Sequence, residues 1–234
     1  MKNVLIIGCG LLGSSLVRRI SKKKIAEKIF VYEKSKSNIA KIKKLRLPGI
    51  IVKSLKEGVV NSDFIIICTP MNEYQKLILK INSCISPKTL ITDLGSSKIE
   101  SSKIINKFLK KGIHWIRSHP ITGSEVSGPE HGKDNMFEDK WCVLIKDKKT
   151  NIKHLKFFKS FWKKVGSKTV IMNSEKHDKI FSITSHLPHL IAYNLVKSAQ
   201  DFEKILKFNL IKYSAGGLRD FSRIAASNEI MWRD

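Results

Sequence analysis

Side chains that can transfer protons are concentrated in residues 118–128, which read Ser-His-Pro-Ile-Thr-Gly-Ser-Glu-Val-Ser-Gly. His119, Ser124 and Glu125 lie close together there, beside two glycines. Because proline restricts the residue before it to extended backbone, Pro120 is expected to hold His119 extended. The glycines permit turns that approach a ligand closely, so a loop suited to proton transfer is predicted. A lone histidine is more often structural, and the spacing alone leaves both roles of His119 open.

A glycine-rich turn near the N-terminus has the spacing of a dinucleotide site. Gly8, Gly10 and Gly13 fit the pattern G-x-G-x-x-G, directly after an apolar run and before a helical pattern. The first glycine permits a tight turn, the second lets a pyrophosphate approach the backbone, and the third allows close helix–strand packing. Leu11 and Leu12 would begin a helix whose unpaired N–H groups face the phosphates.

An acidic residue at the expected distance favours one cofactor over another. Glu33 lies 20 residues after Gly13, at the end of the second predicted strand. A carboxylate there accepts hydrogen bonds from the ribose hydroxyls and repels a 2′-phosphate, which favours NAD over NADP. Lys34 and Lys36 could instead turn toward a phosphate, so NADP stays open.

Four further side chains belong to the same predicted crevice. Ser14 and Ser15 could donate hydroxyl hydrogen bonds to the phosphates. Thr69 and Pro70 end the fourth strand at the carboxyl edge of the sheet, where ligands bind in such folds. Simple termination of the strand is the alternative for Thr69.

The elements that must position these residues alternate between strand and helix. Strands are predicted at residues 4–7, 29–32, 50–52, 64–68, 90–92, 141–145 and 169–171. Helices are predicted at residues 12–21, 38–45, 73–85, 98–109 and 151–165. This alternation predicts an α/β fold with a Rossmann-type, doubly wound, mostly parallel sheet.

After the last strand the pattern becomes wholly helical. We therefore predict a dinucleotide-binding domain at residues 1–172 and a smaller all-helical substrate and dimerisation domain at residues 173–234. One long helix is expected from Ser174 to Lys197, with Ser174 as its N-cap. Pro188 lies inside it and predicts a kink near Ser185.

Composition narrows the class of protein. The formal charge is +24, and 37 of the 44 basic residues are lysine, scattered over the predicted surface helices. We interpret them as a solvated surface that attracts anionic ligands, with no specific nucleic-acid site. The four cysteines form no C-x-x-C pair or metal-ligand pattern, so no metal is predicted and a reducing compartment is favoured. Without a recognisable signal segment or membrane span, the protein is expected in the cytoplasm.

The ordered motifs resemble those of the prephenate/arogenate dehydrogenase family of tyrosine biosynthesis. The resemblance is carried by residues 92–98 (TDLGSSK), 118–128, 185–189 (SHLPH), 218–225 (LRDFSRIA) and 231–234 (MWRD), in family order. It implies an NAD-dependent oxidative decarboxylation of prephenate to 4-hydroxyphenylpyruvate. By match to the family motifs, His119 takes the substrate hydroxyl proton, and Ser96 lies near the substrate oxygen and the nicotinamide. For Ser96, capping of the helix at Lys98 is an alternative that can coexist.

The resemblance also implies how a dicarboxylate substrate is held. Arg223 matches the residue that binds a substrate carboxylate, with a surface salt bridge as the alternative. His189 matches a substrate-facing histidine, and His186 would orient the site or only pack. Ser124, Glu125, Arg219 and Asp220 fall in the matching segments. Glu125, Arg219 and Asp220 resemble a charged gate, for which ordinary surface pairing is equally open.

Family members usually continue beyond the motif at Met231–Asp234 with helices that build the dimer interface. The chain is therefore expected to be a fragment or a reduced form, and a homodimer is predicted if those helices are present, with Trp232 as a cross-subunit contact. Three alternatives stay open: an arogenate dehydrogenase, another hydroxyacid dehydrogenase of the same architecture, and a protein without turnover, either a Rossmann-type binding protein or a basic nucleic-acid binder. His186 and His189 replace the helix lysine that such hydroxyacid dehydrogenases commonly use, which speaks against the second alternative.

Overall fold

A single eight-stranded sheet organises the molecule. The computed structural model describes residues 2–148, 150–209 and 211–227. Along these ranges the strands lie in the order β3-β2-β1-β4-β5-β6-β7-β8. They are β1 (Asn3–Ile7), β2 (Lys28–Tyr32), β3 (Ile50–Ile51), β4 (Phe64–Ile67), β5 (Leu90–Asp93), β6 (His114–Pro120), β7 (Trp141–Ile145) and β8 (Lys168–Met172). Every pair is parallel except β6 with β7, so the predicted doubly wound, mostly parallel sheet is confirmed.

Continuous apolar sequence explains why the central strands lie where they do. The β1 run Val4–Ile7 and the β4 run Phe64–Ile67 are buried throughout. Such runs, rather than alternating ones, are typical of parallel strands covered on both faces. The covering helices are α1 (Leu11–Lys22), α2 (Lys36–Lys44), α3 (Leu55–Val60), α4 (Tyr74–Ile81), α5 (Ile99–Phe108) and α6 (Ile152–Val165).

Two apolar layers form the core, one on each side of the sheet. One layer includes Leu16 of α1 and Trp162 of α6, packed on Val4 and Phe64. The other includes Leu77 of α4 and Ile105 of α5, and packs on the opposite face of the same strands. The two layers hold the sheet rigidly, so the carboxyl ends of its strands present loops in fixed positions.

Strand β6 corrects the prediction of a loop over residues 118–128. Ser118, His119 and Pro120 end this strand, and they pair with β7. The strand was missed because its sequence is polar and ends in proline, and alternate side chains of β6 face different environments. Helix α3 was also missed, since it is only six residues long. The expected extended backbone at His119 is confirmed by its place in the strand.

The C-terminal part is helical, as predicted, and its first long helical run continues beyond the predicted end at Lys197. Helix α7 (Ser174–Phe181) passes through a π-helical turn at Ser182–His186 into α8 (Leu187–Leu206), followed by α9 (Gly216–Ala225). The N-cap is Asn173, whose side chain accepts a hydrogen bond from Lys176 N, and the prediction of Ser174 was wrong by one residue. Pro188 lies just after the π turn and supplies no N–H to the carbonyls of that turn, so the irregular backbone falls at the predicted kink near Ser185.

Helix α9 packs against α8 through Tyr193, whose hydroxyl donates to Ser227 O at 2.8 Å. The motif at Met231–Asp234, with Trp232, lies outside the described residues. In the described part of the chain, no helix combines the length and apolar character that crossing a membrane requires.

Candidate active site

The carboxyl edge of the sheet brings the predicted site segments together. Neighbouring strands β1, β4, β5 and β6 are parallel and end at the same edge. The glycine turn follows β1, Thr69 follows β4, Ser96 follows β5, and His119 lies at the end of β6. Ligands of open α/β sheets bind at this edge. The fold therefore places the candidate cofactor turn and the candidate base along one crevice.

The glycine turn has the geometry that a pyrophosphate needs. Gly8 has a φ of 86°, and a Cβ there would lie 3.0 Å from Thr69 Cγ2. Gly10 is the N-cap of α1 and offers no side-chain cap, and a Cβ on it would meet nothing within 4 Å. A Cβ on Gly13 would collide with Gly8 O. The α1 N-terminus is thus open for an anion, with Leu11 and Leu12 half-buried in its first turn.

Glu33, which follows β2, lies beside the glycine turn and is hydrogen-bonded to it. Its Oε2 accepts a hydrogen bond from Cys9 N at 2.8 Å, and its Oε1 accepts one from Ser35 N at 2.9 Å. The neighbouring Lys34 points elsewhere and pairs with Glu73 at 2.7 Å. The carboxylate is therefore fixed beside the glycine turn, where a ribose would lie.

Ser14 and Ser15 do not serve as phosphate donors, contrary to the prediction. Both are fully buried, and their hydroxyls donate to Leu11 O at 3.1 and 2.7 Å. Ser15 also accepts a hydrogen bond from Lys133 N, which docks residues 129–137 against α1. Ser15 thereby holds the connection between β6 and β7 against α1.

Thr69 and the exposed Pro70 line the edge next to the turn. The Thr69 hydroxyl is buried and has no hydrogen-bond partner among the described residues. A buried hydroxyl without a partner is costly, and a ligand at this edge would satisfy it. Together with the open N-terminus of α1 and the Glu33 carboxylate, it fits a bound dinucleotide.

His119 is half-buried and makes a specific contact with a second imidazole. Its Nδ1 lies 2.8 Å from His177 Nε2, and its ring packs edge-on against Phe181 with the centroids 5.0 Å apart. Burial lowers the pKa of His119 well below its ordinary value, and the charge of Lys98 acts in the same direction. The imidazole is therefore neutral near pH 7, as a proton acceptor must be.

A buried ion pair lies directly beneath His119. Lys98 and Asp93 are both fully buried, and Lys98 Nζ donates to Asp93 Oδ2 at 2.8 Å and to Ser118 O at 2.7 Å. Asp93 also accepts from Tyr74 Oη and Trp115 Nε1. Such pairing satisfies both charges, since an isolated buried charge would be very costly.

Ser96 is exposed at this edge, and its side chain has no hydrogen bond to the described residues. The expected capping of α5 by Ser96 is wrong. Instead, Asp178 of α7 accepts from Lys98 N at 2.9 Å and from Ile99 N at 2.8 Å. The Ser96 hydroxyl is therefore exposed at this edge without a structural hydrogen bond to a described residue.

The candidate substrate-binding arginines of the C-terminal helices are more exposed to solvent than His119 is. Arg219 and Arg223 are exposed on α9, and neither forms an ion pair with a described residue. His189 Nδ1 lies 2.9 Å from Ser185 O. Ser124 donates to Glu125 at 3.1 Å, and Arg223 is near enough that its charge contributes to lowering the pKa of Glu125 after hydrogen bonding. The charge of Arg223 thus acts on the segment that follows His119, but more weakly than the local hydrogen bonds do.

His177 and Asp178 are site residues that sequence reasoning missed. His177 is fully buried, and its Nδ1 lies 2.6 Å from Asp178 Oδ1. They lie 58 residues or more from His119, and only the packing of α7 on β6 and α5 unites them. An adjacent His-Asp pair at a predicted helix start was the available signal. In the described ranges, no group of three or more His, Cys, Asp or Glu residues could hold a metal.

Fold and glycine turn together define a dinucleotide-binding protein of the Rossmann class with a helical second segment. Comparison with known proteins is more specific. Residues 16–171 match the family model described as prephenate dehydrogenase, nucleotide-binding domain, and residues 173–234 match prephenate dehydrogenase, dimerization domain. The chain therefore belongs to the prephenate dehydrogenase family, and the predicted resemblance is confirmed.

Individual relatives agree with the family models. Cyclohexadienyl dehydrogenase of Zymomonas mobilis is 30% identical over 100% of this chain and 79% of its own length. Prephenate dehydrogenase of Bacillus subtilis is 31% identical over 99% of this chain, which spans 62% of that relative. A crystal structure of prephenate dehydrogenase from A. aeolicus, in complex with hydroxyphenyl propionate and NAD+, has a TM-score of 0.91 at 34% identity and covers 100% of this chain and 81% of its own.

Proposed function

We propose that this chain catalyses the NAD-dependent oxidative decarboxylation of prephenate to 4-hydroxyphenylpyruvate, a step of tyrosine biosynthesis. The proposal is supported chiefly by the half-buried imidazole of His119, held by His177 at the same sheet edge as an open glycine turn in a member of this family. Oxidation of a ring carbinol needs a hydride acceptor and one proton acceptor, and no more from the protein than positioning.

The chemistry of the substrate determines which group accepts the hydride and which accepts the proton. Bound NAD supplies the acceptor for the hydride that leaves the carbinol carbon. His119 accepts the hydroxyl proton as that carbon becomes a carbonyl, and Ser96 orients the same oxygen by hydrogen bonding. Loss of carbon dioxide from the opposite ring carbon then makes the ring aromatic and moves the electron pair of the broken bond onto the carbonyl oxygen. That oxygen takes a proton back from His119 and becomes the phenolic hydroxyl of the product. This aromatisation supplies much of the driving force, so the chain needs only to orient the carbinol and to hold and return one proton.

The cofactor is assigned to the turn and its neighbours. Backbone N–H groups at the open α1 N-terminus would hold the pyrophosphate. The Glu33 carboxylate would bind the adenosine ribose, and the Thr69 hydroxyl would bind a further polar group of the dinucleotide. The assigned residues are Gly8, Gly10, Leu11, Leu12, Gly13, Glu33, Thr69 and Pro70. The fixed Glu33 carboxylate supports NAD over NADP, because it would repel a 2′-phosphate.

The substrate is assigned to the space between His119 and α9. Arg223 binds a carboxylate of prephenate, since a guanidinium grips a carboxylate with two parallel hydrogen bonds. Arg219 adds positive charge, and His189 faces the ring. Ser124 and Glu125 flank the entrance, where the charge of Arg223 already acts on Glu125.

The division into domains and the homodimer belong to the same proposal. A dinucleotide-binding domain at residues 1–172 and a helical domain at residues 173–234 are supported by the two family models, which end and begin at residues 171 and 173. A homodimer is supported by the dimerization-domain match and by apolar side chains left exposed along α8. The free cysteines support a reducing location, the cytoplasm.

A spectrophotometric assay tests the function. Purified protein is mixed with NAD and prephenate, and NADH absorbance is followed, with NADP in a parallel reaction. NADH formation with prephenate supports the proposal, and its absence at high enzyme concentration contradicts it. Arogenate is assayed in parallel, because one similar relative bears the broader name cyclohexadienyl dehydrogenase.

A further inference from the structure

Three side chains, His119, His177 and Asp178, form a series of hydrogen bonds that leads inward from the proposed base. His119 Nδ1 lies 2.8 Å from His177 Nε2, and His177 Nδ1 lies 2.6 Å from Asp178 Oδ1. His177 is completely buried, so its ring nitrogens have no access to water. In each of these hydrogen bonds, therefore, one atom must carry a proton and donate it, and the other must accept.

Asp178 determines which atom donates in each of these hydrogen bonds. Burial acts to raise its pKa, but hydrogen bonds from Ile99 N, His177 and Lys98 N outweigh burial and lower the pKa, so the group is a carboxylate that only accepts. The N-terminus of α5, which donates two of these bonds, further stabilises the negative charge. His177 must then carry its proton on Nδ1.

The remaining nitrogens follow in order. Burial lowers the pKa of His177, although Asp178 opposes the shift, and the ring is neutral with a lone pair on Nε2. That lone pair accepts from His119, which must carry its proton on Nδ1. In the described part of the chain, nothing is hydrogen-bonded to His119 Nε2.

We propose that His177 and Asp178 are positioning residues that hold His119 in the Nδ1–H tautomer and so make Nε2 the atom that accepts the substrate proton. The inference rests on the proposed function for the identity of the substrate. The substrate O–H bond breaks and the Nε2–H bond forms, while the Nδ1 proton stays on His119. The resulting imidazolium is stabilised by its hydrogen bond to His177 and, through His177, by the Asp178 carboxylate.

Other charged and titratable groups around the two rings are consistent with neutral imidazoles before the reaction. Lys98 at the start of α5 lowers the pKa of His119 and of His177, and His186 in the π turn does the same. Cys142 on β7 is kept as a neutral thiol by burial. Among the described residues, Asp178 is the carboxylate hydrogen-bonded to His177, and it is therefore the group that stabilises a transient imidazolium through that ring.

The tautomer can be measured without turnover. Protein with ¹⁵N-labelled histidine is saturated with NAD, and long-range ¹H–¹⁵N spectra near neutral pH identify which ring nitrogen of His119 carries a proton; His119→Asn provides the assignment. A protonated Nδ1 and an unprotonated Nε2 are expected. The opposite tautomer would overturn the proposal even if the protein oxidises prephenate, and the expected tautomer would stand even if prephenate proved not to be the substrate.

Asp178→Asn tests the functional consequence. Asparagine can still accept from the α5 backbone but no longer directs or stabilises His177, so kcat should fall by about 10²-fold with the KM for prephenate nearly unchanged. Asp178→Glu should restore part of kcat. The matched control is Asp147→Asn, because Asp147 likewise accepts from a helix N-terminus, that of α7, through Ser174 N and Oγ. Equal losses of kcat in both Asn variants would show a merely structural role and overturn the proposal.

Discussion

At the scale of single residues, Arg223 is assigned the substrate carboxylate. Arg223→Lys should raise the KM for prephenate by about 10- to 10²-fold, because a point charge cannot replace a two-pronged contact worth about 1.5–3 kcal/mol. Steady-state kinetics at saturating NAD measures the change, and kcat should alter less. Arg46→Lys, on an exposed turn, is the control and should leave KM as it is. An unchanged KM in the Arg223 variant would remove this residue from the site.

Glu33 is the single residue expected to determine the preference for NAD over NADP. Glu33→Ser removes the carboxylate that lies beside the glycine turn and would repel a 2′-phosphate. The kcat/KM for NAD should fall by about tenfold or more, and the ratio of NADP to NAD efficiency should rise. Parallel assays with the two cofactors give the ratio. The control Glu100→Gln removes an exposed carboxylate of α5 that pairs with Lys103, so it should keep the NAD preference. If the NADP-to-NAD ratio does not change in the Glu33 variant, another residue determines the preference.

At the scale of elements, the buried Lys98–Asp93 pair joins β5, β6, α4 and α5 beneath the site. Lys98→Met leaves Asp93 buried without its counter-ion and should lower the free energy of unfolding by about 3–5 kcal/mol. Urea denaturation measures the loss. The double variant Asp93→Asn with Lys98→Met removes both charges and should recover part of it. A double variant less stable than the single one would mean that the pair itself, rather than the unpaired charge, carries the stability.

Local sequence predicted some elements well and others poorly, for physical reasons. The glycine turn and the strand before it form a contiguous pattern whose glycines each meet a steric need, so Gly8–Gly13 was placed correctly. Strand β6 has polar, proline-ended sequence and was taken for a loop. His177 was missed because its role depends on contacts across 58 residues of chain. Ser14 and Ser15 lie at the right place in sequence, but α1 turns their hydroxyls onto its own backbone.

At the scale of the whole molecule, α8 leaves large apolar side chains in solvent. Leu190 and Ile205 of α8 are 60% and 73% exposed, and Ile183 in the preceding π turn is 64% exposed. Patches of this kind mark protein interfaces. We expect a homodimer in sedimentation velocity, shifted toward monomer by Leu190→Glu and not by the surface control Lys107→Glu. A chain that stays monomeric at all accessible concentrations would contradict dimerisation through α8.

If His119 accepts the substrate proton in NAD-dependent oxidation of prephenate, turnover of the unmodified protein and of His119→Asn must differ strongly. NADH formation from prephenate is followed for both, and NAD binding is measured separately by titration. We expect turnover by the unmodified protein, a loss of about 10²–10⁴-fold in the variant and unchanged NAD affinity. Equal turnover by the two proteins would contradict this role of His119.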